Sequence, residues 1–135
     1  MTAKEYLAQV RLITIRLQSM VRQVQVITDT LTNISPVLTD MPRSATPNVH
    51  SLDALVATKV DLENEIAEAT TKLADITRTV NSLPDHLHIA VLSYRYFCKM
   101  EWREVADELR ITESRAYQLH RQALVVLENV IVDCS

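Results

Sequence analysis

The chain of 135 residues contains no glycine. Glycine is the residue that enters left-handed backbone at little steric cost. Its absence argues against two-residue β-hairpin turns and against the glycine-rich loops that cradle phosphates in nucleotide-binding folds. Aromatic residues are scarce, with one Trp, one Phe and four Tyr, so a large aromatic core is excluded. The two cysteines, Cys98 and Cys134, lack the paired spacing of a zinc site and are read as reduced thiols. No stretch is apolar for long enough to span a bilayer, and no compact apolar run marks a signal peptide. The expectation is a soluble, cytoplasmic protein. A surplus of positive charge is missing too: the net charge is −3, and residues 84–135 hold six Lys or Arg against eight Asp or Glu. Binding driven by phosphate neutralisation alone is therefore expected to be weak.

What is present is Leu, Val, Ile, Ala, Glu, Arg and Gln at helical periods, which predicts an all-α fold. From Thr2 to Ile34, apolar positions at Tyr6, Val10, Ile13, Leu17, Met20, Val24, Ile27, Leu31 and Ile34 alternate by four and three. That is a heptad seam, and it predicts one helix of about 33 residues, on the order of 50 Å long. Leu12, Ile15 and Val26 lie off the seam. Residues 35–51, with Pro36, Pro42 and Pro47, are expected to form a reversing loop. A second seam follows through Leu52, Leu55, Lys59, Leu62, Ile66, Ala69, Leu73, Ile76, Val80 and Leu83, with Ser51 as its cap and Pro84 closing it. Residues 1–83 thus read as an antiparallel coiled-coil hairpin suited to oligomerisation, as a homodimer, or to partner binding. Residues 84–135 read as a small three-helix head.

The head organises the chain. A helix is expected from His86 to Phe97, with Leu87, Ala90, Val91, Tyr94 and Phe97 inward. Trp102 is expected to anchor the head's core with Tyr94 or Tyr96 beside it. Trp102 to Leu127 then reads as helix, turn and helix. Val105 and Leu109 share a face of the first helix, and Ala106 leaves room for a partner helix. Arg110, Ile111 and Thr112 make the turn, with Ile111 inward and Thr112 as the N-cap of the second helix. The turn position at Arg110 usually favours Gly or Asn because the backbone there tends to a positive φ, which costs a residue with a Cβ about 1 kcal/mol. Ala116, Leu119, Ala123, Leu124 and Leu127 form the buried side of the second helix.

The outer side carries Ser114, Arg115, Tyr117, Gln118, Arg121 and Gln122. Arg and Gln make paired hydrogen bonds to purine edges, and the second helix of such motifs enters the major groove. With Thr112 and Glu113, these residues are the candidate contacts to double-stranded DNA. The same periodicity occurs in helical bundles that never touch nucleic acid, and it is the joint pattern of Ala106, Ile111, Thr112 and the inward spacing that favours DNA. One feature counts against the DNA-binding reading: Arg110, with its Cβ, at the turn position that favours Gly or Asn. His120 is a candidate for phosphate or partner contact. His86 and His88 read as a polar helix start, and the acids Asp61, Glu63, Glu65 and Glu68 as a solvated face. No catalytic residue, metal site or cofactor is assigned.

The runs Leu92-Ser93-Tyr94-Arg95-Tyr96, Trp102-Arg103-Glu104-Val105-Ala106, Ile111-Thr112-Glu113-Ser114-Arg115 and Gln118-Leu119-His120-Arg121-Gln122-Ala123-Leu124 resemble region four of bacterial sigma factors. The whole chain, including its opening MTAKEYLAQVRLI, is similar to the ArpU-like or RinA-like late transcription regulators of phages and prophages in Gram-positive bacteria. That resemblance implies a regulator that activates late genes by recruiting host RNA polymerase, and it places promoter reading on Glu113, Ser114, Tyr117 and Gln118. Glu113 stands where sigma factors often carry a base, and Ser114 where they often carry Glu. The implied target is therefore not a standard promoter element. Two other readings stay open: a packaging protein resembling a small terminase subunit, and a sigma-like module that docks on polymerase without reading DNA.

Overall fold

The computed structural model describes the backbone of residues 1–40 and 49–134, and side chains within these except at 35–40, 49–50 and 134. Among the described residues all regular structure is helical: α1 (Ala3–Asp40), α2 (Val49–Asn81), α3 (His86–Leu92) running into a π-helical turn (Ser93–Phe97), α4 (Trp102–Leu109) and α5 (Glu113–Cys134). The fold class is all-α.

The start of α1 is set by a reciprocal cap. Thr2 Oγ1 accepts from the Glu5 backbone N–H while Glu5 Oε2 accepts from the Thr2 N–H, both at 3.2 Å, so two otherwise unpaired donors are satisfied together. Every position of both predicted seams with a described side chain is buried or half-buried, Lys59 and Ala69 included. The expected loop at 35–51 is shorter at both ends. α1 continues through Pro36 to Asp40, and α2 begins at Val49, so Ser51 lies inside the helix instead of capping it. Positions 41–48, with Pro42 and Pro47, lie outside the described residues.

The chain divides into two compact units. The first joins Met1–Thr14 to Lys72–Ser135 and the second is Ile15–Thr71. In the second unit Met20, Ile27 and Leu62 are buried, with Leu17, Val24, Leu31, Leu55, Ile66 and Ala69 packed against them. An exposed Arg16–Glu65 ion pair at 3.0 Å crosses between α1 and α2 and adds under about 1 kcal/mol.

In the first unit the core gathers Ala3, Leu7 and Val10 from α1, Ile76 and Val80 from α2, Leu83, Leu92 from α3, and Ala123 and Leu127 from α5. Leu7, off the predicted seam, is 0% exposed. The root of α1 therefore buries a second stripe besides the seam. Leu12, Ile15 and Val26 are exposed.

α3 differs from expectation in which side faces in. Asp85 caps it, its Oδ1 accepting from the Leu87 N–H at 2.8 Å. That bond, more than the nearby histidines, holds the Asp85 carboxyl below its usual pKa. Leu87 is 44% exposed, whereas His88, Val91 and Leu92 are buried. With Leu87, Ile89, Ala90, Val91 and Leu92 nearly contiguous, seven residues do not define an apolar side by period, so packing selects it. The α-helix then gives way at Ser93 to one π-helical turn, closed by Cys98 N–H to Ser93 O at 3.0 Å. The additional residue advances the side chains beyond it by about 100° relative to a continuing α-helix.

Candidate nucleic-acid interface

The turn between α4 and α5 is built from three backbone devices. Arg110 adopts left-handed backbone with φ 58° and ψ 45°, as its place in the turn predicts. The Ile111 N–H returns to Ala106 O at 2.9 Å and the Arg110 N–H to Asp107 O at 3.2 Å, the paired bonds of a Schellman ending. Thr112 then caps α5, its Oγ1 accepting from the Arg115 N–H at 3.1 Å. The strain at Arg110 is held by these bonds, since both closing N–H groups would otherwise be lost. Thr112→Ala should lower stability by about 1 kcal/mol, read as a lower urea midpoint at unchanged slope. An unchanged midpoint would show that the cap contributes nothing.

α5 is two-sided along this stretch. Ala116, Leu119, Ala123 and Leu127 are buried, with Leu124 half-buried. Glu113, Ser114, Arg115, Tyr117, Gln118, Arg121 and Gln122 are exposed, as is Thr112 ahead of them. Arg115 and Gln118 meet, Nη1 donating to Oε1 at 2.9 Å. The predicted contact residues thus lie along one outward side, and α5 alone brings them together. α4 presents a different chemistry: Glu101 at its N-cap and Glu104, Asp107 and Glu108 along it are exposed, against two exposed bases, Arg103 and the C-cap Arg110.

Beside this face stands a polar aromatic cluster that the periodicity does not reveal. The Trp102 ring lies 4.7 Å from Tyr117 and 4.7 Å edge-on from His120. Its ring contacts are thus with two α5 residues, while Tyr96, expected beside it, stacks on His120 at 5.8 Å. The Arg95 guanidinium sits 5.0 Å over the Trp102 ring, and its Nη1 donates to Met100 O at 2.9 Å. Lys99, at φ 57°, supplies the second left-handed residue that lets the chain turn into α4. Tyr96 is oriented by the π-helical turn, and its hydroxyl lies 2.8 Å from His120 Nε2. His120 was a candidate for an outside contact, but that nitrogen is engaged within the fold. Tyr117, expected to face outward, is 40% exposed while also packing on Trp102, so its position is tied to α4. The only sequence signal for the cluster is the concentration of aromatic and basic residues between Tyr94 and Trp102.

Burial lowers the His120 pKa to about 4, and the positive charges of Lys4, Arg95 and Arg121 add to the effect. Burial also raises the Tyr96 hydroxyl above its usual value. The imidazole is thus neutral near pH 7. In the unfolded chain it takes a proton near pH 6.5, but in the folded chain only near 4. The unfolded state binds more protons in between, so stability is full above about 6.5 and falls as the pH drops toward 4. Urea unfolding at pH 7 and pH 5 should show the lower midpoint at pH 5, and His120→Gln should remove most of that difference. A slope that survives His120→Gln would place its source elsewhere.

His88, the buried polar residue of α3, has Nε2 3.6 Å from Asp85 Oδ2, and its Nδ1 has no hydrogen-bond partner among the described residues. Among the described residues no group of three His, Cys, Asp or Glu stands together to hold a metal ion. Nor is any described helix long and apolar enough to cross a membrane.

Fold and geometry together define an all-helical protein carrying a helix-turn-helix with a polar outer face on its second helix. The chain belongs to the DUF1492 family, proteins of unknown function, whose model matches residues 49–128. The match begins with α2 and ends within α5, so it covers the whole helix-turn-helix and leaves out α1. No curated protein and no solved structure matches the chain.

Proposed function

We propose that this protein is a sequence-specific DNA-binding transcription regulator, with α5 as the reading helix in the major groove. The observation that carries the proposal is the outward row Ser114, Arg115, Tyr117, Gln118, Arg121 and Gln122, set on a helix whose start is fixed by the Arg110–Thr112 turn. These side chains supply base-edge donors, base-edge acceptors and phosphate donors within the first turns of a second helix. Glu113, in the first turn, suits the positive end of the helix dipole. By its resemblance to phage and prophage late regulators, the protein would activate late genes, holding its DNA site beside a weak promoter and offering a surface to RNA polymerase. The hairpin of α1 and α2 would pair two subunits, which supplies the affinity that a chain with so few bases lacks. Its place of action would be the cytoplasm of the bacterial host.

One observation favours a second reading. The first helix of such a motif ordinarily crosses the phosphate backbone, yet α4 with its caps exposes four acids, Glu101, Glu104, Asp107 and Glu108, against two bases, Arg103 and Arg110. An acidic helix is repelled by phosphate and suits a basic protein surface, so the head would dock on polymerase without touching DNA.

Fluorescence anisotropy of the full chain against tiled duplexes from its own genomic neighbourhood, at two salt concentrations, separates the two. A site-specific regulator binds one fragment and keeps that preference at higher salt. Uniformly weak binding to every fragment, with capture of polymerase intact, would replace the first reading by the second.

A further inference from the structure

Resting on the DNA-binding reading above, we infer that Arg115 and Gln118 act as one unit that selects guanine, and not adenine, at the base they reach. Arg115 Nη1 donates to Gln118 Oε1 at 2.9 Å, from residues three apart on one exposed side of α5. A guanidinium carries only donors, so the amide must turn its oxygen toward Arg115 and its NH₂ away. Among the described residues no carboxylate forms an ion pair with Arg115. The guanidinium is thus not drawn off to another acceptor.

The orientation of the amide decides which base fits. A free glutamine matches adenine with both ends: its oxygen accepts from N6–H₂ while its nitrogen donates to N7. With the oxygen facing Arg115, the outward edge of the pair consists of the amide NH₂ and the remaining guanidinium N–H groups. That edge is mainly a donor, because Arg115 occupies one of the two lone pairs of Oε1. In the major groove the base edge with two adjacent acceptors and no donor is guanine, through N7 and O6. Adenine sets a donor beside its acceptor, cytosine presents a donor, and thymine places a methyl next to O4. Donors facing the N6–H₂ of adenine would leave that group unpaired in a desolvated interface, which is the penalty that discriminates.

The test uses the full-length chain. Duplexes are enriched from a random pool, and the best binder is rebuilt with 7-deazaguanine, which lacks the N7 acceptor, at each guanine in turn. One guanine is expected at which the replacement weakens binding about tenfold, and at which Gln118→Ala flattens the preference among bases. Arg115→Ala, which releases the glutamine oxygen, should shift preference at that base pair from guanine toward adenine. Circular dichroism of both variants checks that helicity is retained. An adenine at the position that Gln118→Ala flattens would overturn the inference, as would a guanine preference unaltered by Arg115→Ala. Failure to enrich any duplex would overturn the DNA-binding reading itself, and this inference with it.

Discussion

Leu7→Ala should destabilise the protein by about 3 kcal/mol, whereas Leu12→Ala, five residues further along the same helix, should change stability by under about 0.5 kcal/mol. Both substitutions remove the same atoms, and both exchange leucine for a good helix former, so helix propensity cancels. Surroundings make the difference. Leu7 is 0% exposed, enclosed in the cluster that holds Val10, Ile76, Val80, Leu83, Leu92, Ala123 and Leu127, while Leu12 is 68% exposed. Truncating Leu7 leaves a cavity whose walls come from several helices and collapse only in part, adding a cavity term to the lost transfer energy. Urea unfolding of the two variants beside the parent measures both effects. Equal losses, or a negligible loss at Leu7, would mean that the root of α1 does not pack as described. Because the heptad seam alone does not select Leu7, the experiment separates the packed structure from the sequence pattern.

The Arg115→Ala, Gln118→Ala double variant should lose at least about tenfold in affinity for the preferred duplex, with helicity unchanged. Each good contact to a base edge contributes about 1–3 kcal/mol of discrimination, and each 1.4 kcal/mol is a factor of ten. The two side chains share a hydrogen bond, so the double variant should lose less than the sum of the single variants. Both are exposed, so their removal opens no cavity in the core. The salt dependence should be shallow. With Arg115 at the base edge, Arg121 is the base of the outer row of α5 left for phosphate, and about one neutralisation per head gives a slope of roughly −1 in log affinity against log salt, or about −2 for a pair of heads. Anisotropy titrations at several salt concentrations supply both numbers. A slope several times steeper would point to a phosphate-driven surface elsewhere on the chain. An intact preference in the double variant would remove α5 as the reader.

Much of the fold was legible because it depends on local period. The alternation of three and four in α1 and α2 identifies the side that packs without knowledge of its partner, since a long helix repeats that statement over many turns. The turn at Arg110–Thr112 was legible for a similar reason. A left-handed residue, an inward Ile and a hydroxyl cap are all short-range requirements, met by the αL backbone of Arg110, a half-buried Ile111 and the Thr112 Oγ1 bond. The exposed row on α5 follows from the buried one, because on a helix the two are complements.

Three features were not legible, and each depends on contact between segments far apart in the chain. The inward side of α3 is undecided in a seven-residue run of nearly continuous apolar character, and packing chose His88 and Leu92 over Leu87. The contacts of Trp102 come from two separate elements, Arg95 from the π-helical turn and Tyr117 and His120 from α5, with Tyr96 reaching His120. The depressed pKa of His120 requires burial together with Lys4, more than a hundred residues away.

By itself the sequence determined the all-α class, the two seams, the helix-turn-helix and the polar outer row of α5. All of these arise from periodicity, capping and the absence of glycine, which act over one to a few turns. The tertiary structure alone decided that Leu7 is core and that the His120 imidazole is enclosed and neutral near pH 7. Burial depends on which distant segments arrive at a residue, and that is not encoded in a period.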